Sequence, residues 1–223
     1  MPRRPRAASG GYVYHVLNRA VGRATLFDKP TDYLAFAKVL RQAQDWLPVR
    51  LLAYCVLPNH WHLVLWPAHD GDLSEHLRWL TVTHTQRWHA HRHTAGTGPL
   101  YQGRFKSFPV QEDDHLLTVC RYVERNALRA GLVARAEGWR WGSLYRRLHA
   151  GGPVLDPGPL PLPAGWLEYV NAAQTASELA ALRRSVVGGC PFGDEAWQVR
   201  TAHALGLQAT LRRCGRRRKP ATP

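Results

Sequence analysis

The periodicities along the first two thirds of this chain predict an α+β fold, a ferredoxin-like antiparallel sheet with packed helices, followed by a C-terminal helical extension. Three observations carry the prediction. Short β-rich runs and longer amphipathic runs alternate as β-α-β-β-α-β and then a helix, the split β-α-β arrangement. Two of the strands are separated only by Pro58-Asn59, so they should form a hairpin. The pattern then stops at Gly151 to Gly165, fifteen residues that include five Pro and continue neither a helix nor a central strand.

Taken in order, Tyr12 to Leu17 is rich in Tyr and Val and reads as a strand. Asp32 to Ala43 places Leu34, Phe36, Ala37, Val39 and Leu40 at helical spacing. Val49 to Leu57 is a near-continuous apolar strand, and His60 to Trp66 is its hairpin partner. Leu73 to His91 is a long helix, Phe105 to Gln111 a strand broken or edged by Pro109, and Asp114 to Ala130 a helix stopped by Gly131. Beyond the Pro-rich stretch, Thr175-Ala-Ser-Glu178 has the form of a capping box opening a helix to about Val187. Asp194 is placed to cap another helix that ends at Gly206. The organisation expected is a main domain over 1–150, a linker over 151–165, a helical extension over 166–211 and a basic tail over 212–223.

Composition narrows the function. The 223 residues carry 30 Lys and Arg against 16 Asp and Glu, a formal charge of +14, which favours a polyanionic partner, nucleic acid before anionic membrane. The longest apolar run, Leu51 to Leu57, is far short of a membrane span, and no apolar signal core follows the basic N-terminus. A cytoplasmic, nucleoid-associated protein with no membrane partner is therefore expected. Cys55, Cys120, Cys190 and Cys214 form no C-x-x-C pair, so reduced and mostly buried thiols are expected.

Two constellations could carry chemistry. In His60-Trp61-His62 the alternation of a strand puts both imidazoles on one face and Trp61 on the other, a way for a sheet to present a metal; hydrogen-bonded core imidazoles fit the same pattern. Tyr122 and Asn126 stand four apart, one turn along a helix, beside a core stripe of Leu116, Cys120, Val123 and Ala127. That spacing places the tyrosine face off the core, although a half-buried aromatic and a turn-forming Asn would read alike. If they converge, two imidazole nitrogens, an amide oxygen and a phenol make a metal-assisted phosphoryl-transfer site. His84, His89, His91 and His93 show no partner pattern and read as solvated or facing nucleic acid.

Several motifs in order add a resemblance. Tyr14-His15-Val16 with Asn18-Arg19, then Asn59-His60-Trp61-His62-Leu63, then Tyr101-Gln102-Gly103-Arg104-Phe105, then Arg121-Tyr122-Val123-Glu124-Arg125-Asn126-Ala127-Leu128-Arg129-Ala130, then Trp141-Gly142-Ser143-Leu144-Tyr145 span most of the first 147 residues. This series resembles the REP-associated tyrosine transposases, relatives of the single-tyrosine transposases of the HUH endonuclease superfamily. Two positions depart from the family habit: Ala127 stands where Pro is frequent, and Gly142 where Ser is common. The resemblance implies an HUH endonuclease architecture. It also implies that His60, His62 and Asn126 hold a divalent ion, Mg²⁺ or Mn²⁺, that Tyr122 attacks DNA, and that the DNA is a hairpin from a repeated extragenic palindrome.

The function expected is a transposase-like single-stranded DNA endonuclease and strand transferase that cleaves near hairpins through a 5′-phosphotyrosine. A non-catalytic nucleic-acid-binding regulator on the same fold is the alternative, and a hydrolytic nuclease using the same His pair a further one. Phosphate contacts are expected from Arg3, Arg4, Arg6, Arg19, Arg23, Arg104 and Lys106, and from Arg212, Arg213, Arg216, Arg217, Arg218 and Lys219 of the tail. Monomer and homodimer stay equally open.

Overall fold

The computed structural model describes residues 8–212. The strands are β1 (Val13–Arg19), β2 (Arg50–Leu57), β3 (His60–Trp66) and β4 (Lys106–Val110). They form one antiparallel sheet in the order β2-β3-β1-β4, the ferredoxin-like order that β-α-β-β-α-β connectivity calls for. Leu57 pairs with His60 across Pro58-Asn59, which confirms the expected hairpin.

Alternation in the strands sorts the core into two layers. Tyr14, Val16, Trp61, Leu63 and Leu65 face α1 (Pro30–Trp46) and α2 (Asp72–Arg92), where Phe36, Leu40, Leu73, Leu77 and Leu80 complete one apolar cluster. Val13, Val64, Phe108 and Val110 face the other way, against Leu116, Val119 and Val123 of α3 (Asp114–Glu124). A short α4 (Asn126–Arg129) follows α3 at once. The single helix expected over Asp114 to Ala130 is thus two pieces that part at Arg125 (φ −79°, ψ −7°), although Arg125 N–H still donates to the Arg121 carbonyl and its own carbonyl accepts from Arg129 N–H. Gly131, at φ +70°, ends the second piece in the left-handed region that favours glycine.

The sequence places apolar residues on both faces of β2 although it is an edge strand, and such an edge invites pairing with other chains. Residues after α4 cover it. Val56 N–H donates to the Trp141 carbonyl, Trp139 Nε1 donates to the Val56 carbonyl, and Asp156 N–H donates to the Leu51 carbonyl. The opposite edge, β4, is met by Phe192, whose N–H donates to the Pro109 carbonyl while its own carbonyl accepts from Gln111 N–H. Pro109 sits where its missing donor is not needed by β1, the edge position expected for it.

Residues 151–165 contain neither helix nor strand. Past α5 (Ser143–Leu148) and that stretch come α6 (Trp166–Asn171), α7 (Ala176–Gly188) and α8 (Glu195–Ala204). Trp166, Val170 and Leu182 join the α3-side cluster. Thr175 and Glu178 form the expected capping box, and Asp194 accepts from Trp197 N–H at the start of α8. Cys55 and Cys120 are buried free thiols, as expected, and Cys190 is half-buried; Cys214 lies outside the described residues. Among those residues no helix is long and apolar enough to cross a membrane.

Candidate active site

His60 and His62 emerge on the α3 face of β3, and Trp61 points to the α1–α2 side, where its Nε1 donates to the Tyr101 hydroxyl at 3.1 Å. The imidazoles are neighbours, with ring centroids 5.1 Å apart, but their planes meet at 77° rather than lying parallel. His60 is half-buried at the end of the strand and His62 is 3% exposed. His60 Nδ1 lies 2.6 Å from Asn59 Oδ1. A carboxamide oxygen only accepts, so His60 carries its proton on Nδ1 and turns a bare Nε2 outward. His62 Nδ1 lies 2.9 Å from His15 Nε2, a buried imidazole pair. His15 comes from β1, two residues before Leu17, the residue directly across from His62.

Burial keeps these rings neutral. It pushes His15 down to about 3. His60 is lowered to about 4, by burial first and then by the charges of Arg19 and Arg129. His62 is held well below the usual imidazole range by burial, with its two histidine neighbours and the same two arginines adding to the effect. Neutral imidazole is the form that binds a metal.

Tyr122 and Asn126 approach the same face from α3 and α4. The Tyr122 ring stands edge-on to His62 at 5.9 Å and to His15 at 6.1 Å. Its position corrects the expectation of a tyrosine off the core: Tyr122 is 5% exposed and belongs to the α3-side cluster, and Asn126 is 2% exposed. The break at Arg125 lies between them, yet Arg129 draws them together. One guanidinium nitrogen donates to the Tyr122 hydroxyl at 3.1 Å and to Asn126 Oδ1 at 3.0 Å, while the guanidinium carbon lies 4.3 Å from the centre of the Tyr122 ring. Asn126 Nδ2 is buried with no hydrogen-bond partner.

The donor set suits a divalent ion. The proton on His60 Nδ1 leaves Nε2 bare, and the His15 contact occupies Nδ1 of His62, so each ring has its Nε2 available. The Asn126 carboxamide lies on the adjoining element, and its oxygen, the atom able to ligate, already accepts from Arg129. Among the described residues no three His, Cys, Asp or Glu side chains gather as a metal site, so an ion here needs the amide oxygen as its third protein ligand.

Arg121, Glu124 and Arg125 face the extension. Arg121 donates to the carbonyls of Ala172 (2.7 Å) and Ala173 (3.0 Å), and Arg125 to those of Val170 and Asn171. Glu124 is buried and accepts from Ser143 Oγ (2.6 Å), Arg147 Nε (2.9 Å) and Trp166 Nε1 (2.6 Å).

Of the cations expected at phosphate, Arg19 ends β1 directly opposite His60. Arg23, Arg104, Lys106 and Arg212 are exposed. Arg3, Arg4, Arg6, Arg213, Arg216, Arg217, Arg218 and Lys219 lie outside the described residues. His84 corrects another expectation. It is 4% exposed, packs on Phe27 and Phe36, and its Nδ1 meets the Tyr101 hydroxyl at 2.7 Å. Sequence reasoning did not single out His15, Asn59 or Arg129 for the site. For Arg129 the signal was present, since positions 122, 126 and 129 follow the i, i+4, i+7 stripe of one helical face. For His15 it was a lone imidazole in an apolar strand, which nothing in one strand ties to another.

The family description "Transposase IS200 like" matches residues 9–126, just over half of the chain. A Haemophilus influenzae protein that carries the name REP-associated tyrosine transposase is 24% identical over 129 residues, covering 54% of this chain and 73% of that protein. Among solved structures, a REP-associated tyrosine transposase bound to a REP hairpin aligns with a TM-score of 0.58 at 19% identity, over 78% of this chain and 93% of that one. That last likeness is one of fold.

Proposed function

The chain belongs to the IS200-like transposase family, and on that premise we propose that it is a single-stranded DNA endonuclease and strand transferase whose nucleophile is Tyr122. The observation that carries this reading is the meeting of a phenol with a neutral histidine pair across two elements distant in sequence, the Tyr122 and His62 rings lying 5.9 Å apart. Its catalytic domain is 1–150, with the linker at 151–165 and the extension at 166–211 serving to cover the sheet.

His60 and His62, through Nε2, and Asn126, through its amide oxygen, would hold a divalent ion, Mg²⁺ or Mn²⁺. When bound, such an ion supplies Lewis-acid polarisation of a phosphate oxygen. The chain's own groups do the rest. Arg19, beside His60, and the exposed Arg23, Arg104, Lys106 and Arg212 contact the phosphates of the strand. The Tyr122 oxygen attacks phosphorus in line; the new O–P bond forms as the bond to the 3′-oxygen breaks. The phenol proton passes to solvent and the departing 3′-oxygen takes one up, leaving a 5′-phosphotyrosine and a free 3′-hydroxyl. One phosphodiester has replaced another, so the hydroxyl, or one from a second strand, reverses the step and joins ends without ATP.

The partner proposed is hairpin DNA of the repeated extragenic palindrome type, supported by the hairpin on the solved relative. End-labelled hairpin oligonucleotides incubated with the protein and Mn²⁺ should give a protein-linked band on a denaturing gel. Tyr122→Phe should bind the same DNA and give no such band; a band of unchanged intensity from this variant overturns the assignment.

A further inference from the structure

We propose that Arg129 is a further catalytic residue of this site, which fixes the Tyr122 hydroxyl and the Asn126 carboxamide in one geometry and shares the site with the bound cation, so that it speeds phosphoryl transfer while weakening cation binding. The inference rests on the reading of Tyr122 as nucleophile and of His60, His62 and Asn126 as ligands.

The geometry is economical. A terminal guanidinium nitrogen has two hydrogens, and on Arg129 the same nitrogen reaches both the phenol oxygen at 3.1 Å and the carboxamide oxygen at 3.0 Å. The planar cation also lies over the Tyr122 ring at 4.3 Å. Tyr122 is thereby held by its oxygen and its face together, leaving its hydroxyl little freedom to swing. Holding a nucleophile in a near-attack geometry is worth a large part of a barrier. After cleavage the phosphate sits on the same oxygen, where a guanidinium is well shaped to hold it for the rejoining step.

The same placement works against the metal. Asn126 Oδ1, the oxygen offered to the ion, already accepts one N–H from the Arg129 cation at 3.0 Å. An ion bound by these three residues therefore sits near a fixed positive charge, and like charges repel. Arg129 is itself exposed, so its replacement should be tolerated by the fold.

This opposition gives a signature that damage to the fold would not produce. Mn²⁺ affinity is measured by titration calorimetry on the full chain, and adduct formation on a hairpin oligonucleotide in single-turnover conditions at saturating Mn²⁺. Arg129→Met is expected to bind Mn²⁺ about three- to tenfold more tightly and to form adduct on the order of tenfold or more slowly. Arg129→Lys, which keeps the charge, should lie near the wild type in affinity and between the two in rate. Mn²⁺ binding by Arg129→Met no tighter than wild type, or an adduct rate within about twofold of it, overturns the proposal. Tyr122→Phe and His62→Ala are run alongside and leave Arg129 in place. An adduct from Tyr122→Phe, or undiminished Mn²⁺ binding by His62→Ala, overturns the underlying reading of the site instead.

Discussion

The two histidines that present Nε2 owe that readiness to the partners of their other nitrogens. Asn59 Oδ1 accepts the His60 Nδ1 proton, and Asn59 is itself oriented because its Nδ2 donates to the Arg23 carbonyl at 3.3 Å. For His62 to offer its Nε2 lone pair, its Nδ1–H must donate to His15 Nε2, which puts the His15 proton on Nδ1, the atom buried without a partner. Partners of this kind typically change metal affinity by about 10- to 100-fold. Asn59→Ala should weaken Mn²⁺ binding on that scale with no loss of helix content, checked by calorimetry and circular dichroism. A different buried imidazole sets a pH limit on the fold. His84 is lowered to about 4 by burial, so between pH 6.5 and 4 the unfolded chain binds a proton that the folded one refuses. Stability is then full above pH 6.5 and falls as the pH drops toward 4, by on the order of 3 kcal/mol from this residue. Denaturant unfolding at pH 7 and pH 4.5 should show a smaller drop for His84→Phe than for the wild type.

At the scale of elements, the segment from Arg121 to Arg129 is a helix with two tasks. Tyr122, Asn126 and Arg129 turn toward the sheet, while Arg121, Glu124 and Arg125 turn toward the extension and bind α6 and the residues just after it. Glu124 is the centre of the second face, a buried carboxylate with three donors around it. Removing one partner of a buried charged cluster costs about 3–5 kcal/mol. Glu124→Ala should lose stability of that size in denaturant titration, whereas a loss below about 1 kcal/mol would contradict the role given to it. The strands, the hairpin and the helix caps at Thr175 and Asp194 were legible because period, turn chemistry and capping are local. The break at Arg125 was not, since the apolar stripe runs unbroken from Leu116 to Ala127 and only the backbone angles at Arg125 mark it. The burial of Tyr122 and His84 was hidden for a related reason, because His15 and His62 of the sheet, against which Tyr122 stands, and the Tyr101 segment that meets His84 come from elsewhere in the chain. His60, His62, Tyr122 and Asn126 could be picked out by type and spacing, but Arg129 and His15 acquire their meaning only through contacts across elements.

Over the whole molecule, the residues after 138 close what the β-α-β-β-α-β core leaves open. Trp141 and Asp156 satisfy β2, Phe192 satisfies β4, and Trp166, Val170 and Leu182 roof the α3 side. The formal charge of +14 suits a polyanion bound over a broad surface. For single strands each lost phosphate contact flattens the slope of log affinity against log salt by about 0.7, so Arg104→Ala/Lys106→Ala should reduce it by about 1.4 without removing cleavage. Unchanged slope would take those two side chains off the DNA path. The central claim, that the Tyr122 oxygen becomes joined to DNA, is tested most directly by mass spectrometry of the trypsin-digested reaction product. The account predicts a nucleotide attached through a 5′-phosphate to the four-residue peptide Tyr122 to Arg125. Cleaved DNA accompanied by that peptide in unmodified form only, in a reaction quenched while adduct is present, would contradict it.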